Sequence, residues 1–140
     1  MRTELFDFVI PGEPKGKGRP RFTRSGHPYT PGKTIEYENL VRMAFAEKYP
    51  NAEPLTGEVL VTIMTYFAIP KSVSKKKREL MVNNVVNPTK KPDLDNIAKS
   101  ILDSLNGLAF VDDAQVVWMA ICKSYAVNPR AEVMIYDTSV

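Results

Sequence analysis

The sequence predicts a single α+β domain in which helices flank a mixed β-sheet. Its 140 residues are 44% hydrophobic and 25% charged, as in ordinary soluble globular domains. Segments rich in Val, Ile, Thr and aromatic residues alternate with segments whose apolar residues recur at helical spacing. A chain of this length buries roughly two thirds of its unfolded surface, so one core suffices. No internal repeat or linker divides residues 1–140.

Five elements are predicted in the first half of the chain: a strand, a loop, a helix, a central strand and a short basic helix. They cover residues 5–10, 11–33, 34–49, 58–69 and about 74–81. Thr34 is the expected N-cap of the first helix, and Ser72 or Ser74 is that of the second. The central strand is apolar on both alternating faces, so we expect it to be covered on both sides.

One helix and two strands are predicted in the second half of the chain, at residues 93–105, 115–125 and 131–136. Asp93 or Asp95 is the expected N-cap of this helix, and Gly107 follows its C-terminus. Its predicted apolar stripe consists of Ile97, Ile101, Leu102 and Leu105. The turn at residues 128–129 predicts that the two strands pair with each other in antiparallel fashion.

The charges are distributed unevenly along the chain, although the formal net charge is only +3. Residues 15–33 and 71–91 together carry a net charge of +12, and the rest of the chain carries −9. Such a division favours a polyanionic partner. The alternative is that the basic runs are ordinary solvated surface.

Residues 11–33 are predicted to form a long functional loop, because closely spaced glycines and prolines exclude a regular helix or a central strand. Phe22, His27 and Tyr29 lie among its basic residues. This pattern suits cations that contact phosphates and rings that stack on bases or sugars. DNA binding is accordingly predicted for basic residues of both stretches, namely Lys15, Lys17, Arg19, Arg21, Arg24, Lys75, Lys76, Lys77 and Arg78.

Two acidic pairs flank the last predicted helix. Asp93 and Asp95 lie at its start, with Lys99 one turn beyond Asp95 on the same face, and Asp112-Asp113 follows its end. A chain reversal would bring Asp113 back towards the first pair, so the sequence permits a cluster of three carboxylates. Oxygen ligands suit Mg²⁺ and are a poor fit to zinc, which indicates a metal-dependent phosphodiesterase.

Each acidic pair also has an ordinary structural explanation. Asp is common at helix N-termini, where it satisfies free amides, and Asp-Asp is common in turns. Clustered carboxylates, however, repel one another unless a cation lies between them, which favours the metal site. Asp103 is left outside that site, because a surface ion pair with Lys99 explains it.

The acidic segment at residues 91–117 carries a family resemblance. Its runs are Lys91-Pro92-Asp93-Leu94-Asp95-Asn96, then Lys99, then Asp103-Ser104-Leu105-Asn106-Gly107, then Asp112-Asp113-Ala114-Gln115-Val116-Val117. In order and spacing they resemble the RusA family of Holliday junction resolvases. The resemblance implies a RusA-like fold and a bacterial or phage-encoded homodimer that nicks two strands of a four-way DNA junction. It also implies dependence on Mg²⁺, with Mn²⁺ as a substitute.

The same resemblance assigns roles to individual residues. The metal-binding aspartates of the family fall on Asp93, Asp95 and Asp113, and its essential lysine falls on Lys99. Asp112 matches the motif but is not the first choice as a ligand. The basic loop is longer than expected across the whole family and resembles one branch of it.

Two other functions fit parts of the sequence. A non-catalytic DNA-binding protein would use the same basic surface without any cleavage. A metal-dependent hydrolase of nucleotides or other small phosphorylated substrates would use the carboxylates but would not need the basic segments.

The remaining distinctive residues have ordinary explanations. Cys122 is the only cysteine, and we expect it to be buried packing rather than a nucleophile. Trp118 is expected in the core or at a dimer surface, and His27 is expected to contact phosphate, to stack, or to have no role. With no disulfide, no signal-peptide pattern and no long apolar segment, the sequence predicts a cytoplasmic protein that does not enter a membrane.

Overall fold

The computed structural model of the protein describes residues 3–138, which form a four-stranded mixed sheet, a small hairpin and three α-helices. In chain order the elements are β1 (Thr3–Pro11), β2 (Arg21–Phe22), β3 (Pro28–Tyr29), α1 (Gly32–Lys48), β4 (Val59–Ala68), α2 (Lys75–Val82), α3 (Leu94–Leu105), a 3₁₀ turn (Asp113–Gln115), β5 (Val116–Ala126) and β6 (Arg130–Asp137). The predicted α+β class is confirmed. None of the helices within residues 3–138 is both long and apolar enough to span a bilayer.

The sheet has the strand order β1-β6-β4-β5. Strand β6 is antiparallel to both β1 and β4, whereas β5 is parallel to β4. The predicted antiparallel pairing of β5 with β6 is therefore wrong, because β4 lies between them. The turn at residues 128–129 reverses the chain across the end of β4. Turn chemistry fixes such a reversal but not which strands become neighbours.

One face of the sheet packs against α1 and α3 and forms the core. Phe45 of α1 contacts Phe6 and Phe8 of β1 edge to face, with ring centroids 5.0 and 5.4 Å apart. From α3, the predicted apolar stripe is buried in the same core and consists of Ile97, Ile101, Leu102 and Leu105. The helical faces predicted from the sequence are thus the faces that the protein buries.

Within residues 3–138, no helix lies over the centre of the other face of the sheet. Thr62 and Met64 of β4 are only half-buried there, so the expected cover on both sides of this strand is wrong. Cys122 is exposed on this face, which contradicts the expectation of a buried thiol. Trp118 is 47% exposed and does not belong to the core. The expectation for Cys122 failed because β5 is an edge strand, and edge-strand side chains lack a neighbour on one side.

The N-cap residue was predicted correctly for α2 but not for α1. Ser74 caps α2, and its hydroxyl accepts a hydrogen bond from the Lys77 N–H at 3.2 Å. Helix α1 begins at Gly32 with Pro31 in the N-cap position, so the assignment of Thr34 as N-cap is wrong. Thr34 is buried in the first turn, where its hydroxyl oxygen accepts a hydrogen bond from Gly18 N–H at 2.9 Å.

Candidate metal centre and nucleic-acid interface

The start of α3 presents two carboxylates to solvent. Asp93 is the N-cap residue and Asp95 lies in the first turn, and both residues are exposed. Negative charge is favoured there by the positive end of the helix dipole. The Asp93 side chain accepts no capping hydrogen bond. Its carboxylate is therefore not committed to the helix amides, which was the ordinary explanation for an Asp at this position.

Lys99 follows Asp95 by one turn of α3 and is also exposed. Side chains four residues apart share a helix face, so the ammonium and the carboxylate lie on one surface. Across residues 3–138, the ion pairs that the structure records do not include Lys99. The expected surface pair between Lys99 and Asp103 is therefore wrong.

Asp103 instead belongs to a charge network that joins α3, α1 and the basic loop. Lys17 Nζ lies 3.2 Å from Asp103 Oδ2 and 3.0 Å from Glu38 Oε2. Glu38 is buried on α1, and the Lys17 side chain is 25% exposed. Burial lowers the pKa of Lys17, but hydrogen bonds and charges from Glu38 and Asp103 outweigh it and raise the pKa above its ordinary value. Lys17 is thus firmly charged and internally paired.

Asp113 lies beside Asp112 and Asp103. Partial burial raises the pKa of the Asp113 carboxyl, and the negative charges of Asp112 and Asp103 raise it further. Asp103 is in the third turn of α3, about 12 Å of helix rise beyond Asp95. The chain reversal at Gly107, which has a φ of +79°, therefore returns Asp113 to the end of α3 rather than to its start.

The carboxylates fit a hard divalent cation by chemistry, although the described chain does not bring all three together. Within residues 3–138, no three His, Cys, Asp or Glu side chains lie close enough together to hold a metal ion. Asp93, Asp95 and Asp113 offer only oxygen donors, which are the ligands that Mg²⁺ prefers. The raised pKa of Asp113 reflects partial burial first and carboxylate crowding second, and a bound cation would relieve the crowding. The three-carboxylate site stays a prediction.

Asp112 has a structural role that positions its neighbour. It caps the 3₁₀ turn, and its own N–H donates a hydrogen bond to Gln115 Oε1 at 2.9 Å. Gln115 Nε2 donates in turn to the carbonyls of Leu55 and Gly57 at 2.8 and 2.9 Å. These bonds fix the turn on which Asp113 is carried.

The basic loop lies directly against both helices. The N–H of Lys17 donates a hydrogen bond to the Asn96 carbonyl at 3.0 Å. A Cβ atom on Gly16 would lie 3.0 Å from the Asn96 Cβ, and one on Gly18 would lie 2.6 Å from Thr34 Oγ1. Both glycines therefore allow a close approach that a larger residue would prevent. Because Asn96 follows Asp95 in sequence, the loop reaches the carboxylates at the start of α3.

The docked loop and the start of α1 enclose a cleft of about 410 Å³. Its charged lining residues are all basic and consist of Lys15, Arg19, Arg21 and Lys33. Three of the predicted DNA-binding residues thus converge, and Lys33 joins them. Arg24 is exposed on the turn of the β2–β3 hairpin.

A second basic surface lies on α2, where the remaining predicted DNA-binding residues are exposed. These are Lys75, Lys76, Lys77 and Arg78. Met81 is the buried residue of this short helix, which packs against β5. Both basic stretches are therefore solvent-facing, with the exception of Lys17.

Sequence reasoning missed the part that Glu38 and Asp103 play in holding the loop. One signal was present, because Glu38 falls within the apolar face of α1 between Tyr37 and Val41. An acid on a buried face needs a charged or hydrogen-bonding partner. That the partner is Lys17 depends on tertiary contacts that no local pattern contains.

A basic cleft beside exposed carboxylates is the arrangement of a protein that acts on a polyanion. The family model described as Endodeoxyribonuclease RusA matches residues 11–136. The chain belongs to the RusA endodeoxyribonuclease family, which confirms the resemblance found in the acidic segment and supports a nuclease that acts on branched DNA.

A full-length relative is also found in Bacillus subtilis (strain 168). Its protein YqaN, described as uncharacterized, is 39% identical over 141 residues, which cover 97% of this chain and 99% of the relative. The two proteins therefore match along their whole length, including the basic loop, and the name of the relative assigns no activity.

Proposed function

We propose that this chain is a Mg²⁺-dependent, structure-specific endonuclease that resolves four-way DNA junctions by paired nicks in recombination and repair. The observation that carries the proposal is the hydrogen bond from Lys17 N–H to the Asn96 carbonyl, at 3.0 Å. It sets the basic loop beside the helix start that presents Asp93 and Asp95. A strand whose phosphates lie along the loop passes next to these carboxylates.

The proposed chemistry divides between carboxylates and one lysine. Asp93, Asp95 and Asp113 hold the cation, for which Mn²⁺ can substitute. When bound, the cation supplies an activated water and neutralises charge on the phosphoryl group in the transition state. Lys99 contacts a phosphate oxygen or orients the Asp95 carboxylate from the same helix face. Hydrolysis leaves 5′-phosphate and 3′-hydroxyl ends.

DNA binding is assigned to the cations that face solvent. Lys15, Arg19 and Arg21 act in the cleft, Arg24 acts on the hairpin, and the basic run of α2 acts on a second part of the DNA. Lys17 has a different role in this surface. Because its ammonium is already paired with Glu38 and Asp103, we assign it to holding the loop on α1 and α3.

The three metal-binding carboxylates can meet in two ways, and one experiment separates them. A cation can draw Asp113 to Asp93 and Asp95 within one protomer, or the site can be shared across a homodimer. Mixing Asp93→Asn with Asp113→Asn protein restores one intact site in a shared arrangement, so nicking returns in the mixture. In the unshared arrangement each protomer lacks one carboxylate, and the mixture stays inactive.

The homodimer is supported by the open face of the sheet. A cavity of about 350 Å³ on this face is lined by no charged residue and includes Met64, Cys122, Met134 and Tyr136. Two identical apolar faces can pair around a two-fold axis. Trp118→Glu is expected to give monomers in analytical ultracentrifugation, whereas Val127→Glu, in the exposed β5–β6 turn, leaves the dimer intact. A dimeric Trp118→Glu protein would exclude this face.

The decisive test is cleavage of defined DNA. Labelled four-way junction, duplex and single strand are incubated with the protein, with and without Mg²⁺. We expect paired nicks in the junction only with Mg²⁺, and we expect Asp93→Asn to abolish them while junction binding is retained or improved. Glu53→Gln, an exposed acid outside the site, serves as the control. Full activity of Asp93→Asn would overturn the assignment.

Two other outcomes would identify the alternative functions. Salt-sensitive junction binding without nicking in Mg²⁺ or Mn²⁺ indicates a non-catalytic DNA-binding protein. Hydrolysis of small phosphorylated substrates that is unaffected by replacing Arg19 and Arg21 with Ala indicates a small-molecule hydrolase.

A further inference from the structure

The β2–β3 hairpin is a built element rather than a loose part of the loop. Thr23 N–H donates to the His27 carbonyl and Gly26 N–H donates to the Thr23 carbonyl, both at 2.9 Å. The Thr23 hydroxyl also accepts a hydrogen bond from His27 N–H at 3.1 Å. Gly26 has a φ of +86°, a conformation that favours glycine. The turn is thus held by its own hydrogen bonds.

This hairpin presents two aromatic rings to solvent. Phe22 is 68% exposed and Tyr29 is 47% exposed. The strand register pairs Arg21 with Tyr29 and Phe22 with Pro28. Cross-strand partners lie on the same face of a two-stranded ribbon, so Tyr29 shares a face with Arg21 and Phe22 lies on the opposite face.

The hairpin is also continuous with the basic cleft. Arg21 is both a hairpin residue and a lining residue of the cleft, where Lys15, Arg19 and Lys33 accompany it. A single exposed Phe is ordinary on a protein surface. Here, however, the ring projects from a hydrogen-bonded hairpin that carries Arg21 at the cleft and Arg24 at its turn. Cations beside exposed rings favour a ligand that has phosphates and flat apolar faces together.

We infer that the cleft and the hairpin form one recognition unit, in which the cleft binds a backbone phosphate and Phe22 inserts against an unstacked base at the branch point of the DNA. The inference rests on the proposed function and adds the structural feature of the DNA that is read. Apolar side chains that wedge between base steps unstack them and bend the helix. Fully stacked duplex offers no free base face, so the unit distinguishes branched DNA from duplex.

The contribution of Phe22 is tested by junction binding in EDTA, where no cleavage occurs. We expect Phe22→Ala to bind the junction about tenfold more weakly and to lose most of its preference over duplex. Phe22→Trp restores binding, because the indole ring also stacks. Met43→Ala, which removes an exposed apolar side chain further along α1, leaves binding unchanged. Permanganate oxidation of thymines at the branch is expected to increase with wild type and not with Phe22→Ala.

The cleft is tested by the salt dependence of the same binding. Arg19→Ala and Lys33→Ala should each reduce the slope of log affinity against log salt by about one phosphate contact. Phe22→Ala should leave that slope unchanged, because stacking releases no counterions. Arg42→Ala, an exposed cation on α1 outside the cleft, provides the charge-matched control.

The results separate this inference from the proposed function. If wild type nicks the junction but Phe22→Ala binds and unstacks it as wild type does, the recognition unit is wrong and the nuclease stands. If wild type binds the junction through Phe22 but never nicks it with a divalent metal, the unit stands as a binding device and the nuclease is wrong. Equal binding of junction and duplex by wild type overturns the recognition unit but not the nuclease, which is tested by cleavage.

Discussion

Lys17 Nζ lies 3.2 Å from Asp103 Oδ2, and Asp103 in turn lies beside Asp113. One contact therefore connects the basic loop to the neighbour of a proposed metal ligand. The same ammonium binds Glu38 at 3.0 Å, so three separate parts of the chain meet at this lysine. The arrangement couples the placement of the loop to the charge environment of the carboxylates.

Replacing Lys17 tests this coupling. We expect Lys17→Met to lower the free energy of unfolding by about 1–3 kcal/mol, because it leaves Glu38 buried without its charged partner. Urea denaturation measures the change, with Lys33→Met as the exposed control. Glu38→Gln added to Lys17→Met should recover part of the loss. A single variant as stable as the control would show that the pair contributes nothing.

Two glycines provide a matched pair of substitutions. The new Cβ of Gly18→Ala would lie 2.6 Å from Thr34 Oγ1 and 3.1 Å from a Pro31 ring carbon. We expect a loss of about 1–3 kcal/mol from this overpacking and faster proteolysis of the loop. Gly32→Ala meets nothing within 4 Å at the start of α1, so it should be neutral or stabilising. Equal melting temperatures for the two variants would contradict the close approach.

The raised pKa of Asp113 predicts a pH-dependent cost in stability. A carboxyl that binds its proton more tightly in the folded protein makes the free energy of unfolding fall as the pH rises from its ordinary pKa of 3.8 through the raised value. In EDTA, Asp113→Asn should therefore melt at a higher temperature than wild type at pH 7, and the difference should shrink towards pH 4. Calorimetry checks this, with Glu53→Gln as the control. A difference that grows towards acid would have the wrong sign.

Two phenylalanines of very different burial provide a comparison between the core and the proposed recognition unit. Phe45 is 2% exposed and contacts three other rings, so Phe45→Ala should cost about 3–5 kcal/mol. Phe22→Ala removes an exposed ring and should change stability by no more than about 0.5 kcal/mol. Thermal unfolding of both variants measures the contrast. A large loss for Phe22→Ala would mean that this ring packs against the protein.

The sequence predicted those elements that local chemistry decides. The hydroxyl of Ser74 caps α2 because it needs only the amide three residues later. The stripe that includes Ile97 and Ile101 defined the buried face of α3, because a helix repeats its faces through short-range geometry. Two carboxylates of the proposed metal site could be recognised for the same reason, because Asp93 and Asp95 are close together in the sequence.

The parts that failed depend on contacts between distant segments. Thr34 has the chemistry of an N-cap, but its hydroxyl is taken by Gly18 N–H from the loop. Pairing of β5 with β6 failed because β4, from earlier in the chain, lies between them. Asp103 was left out of the site because its partner Lys17 belongs to the other end of the sequence. Local patterns specify candidates for such contacts but not the choice among them.

The close packing of residues 16–18 on the two helices has a final consequence for how DNA is bound. The backbone amides of Lys17 and Gly18 are bonded to Asn96 and Thr34, so the shape of this surface is set when the chain folds. Little conformational entropy then remains to be lost on association. For the proposed junction binding, we therefore expect the nucleic acid rather than the protein to deform, and sequences that bend easily at the branch should be the preferred substrates.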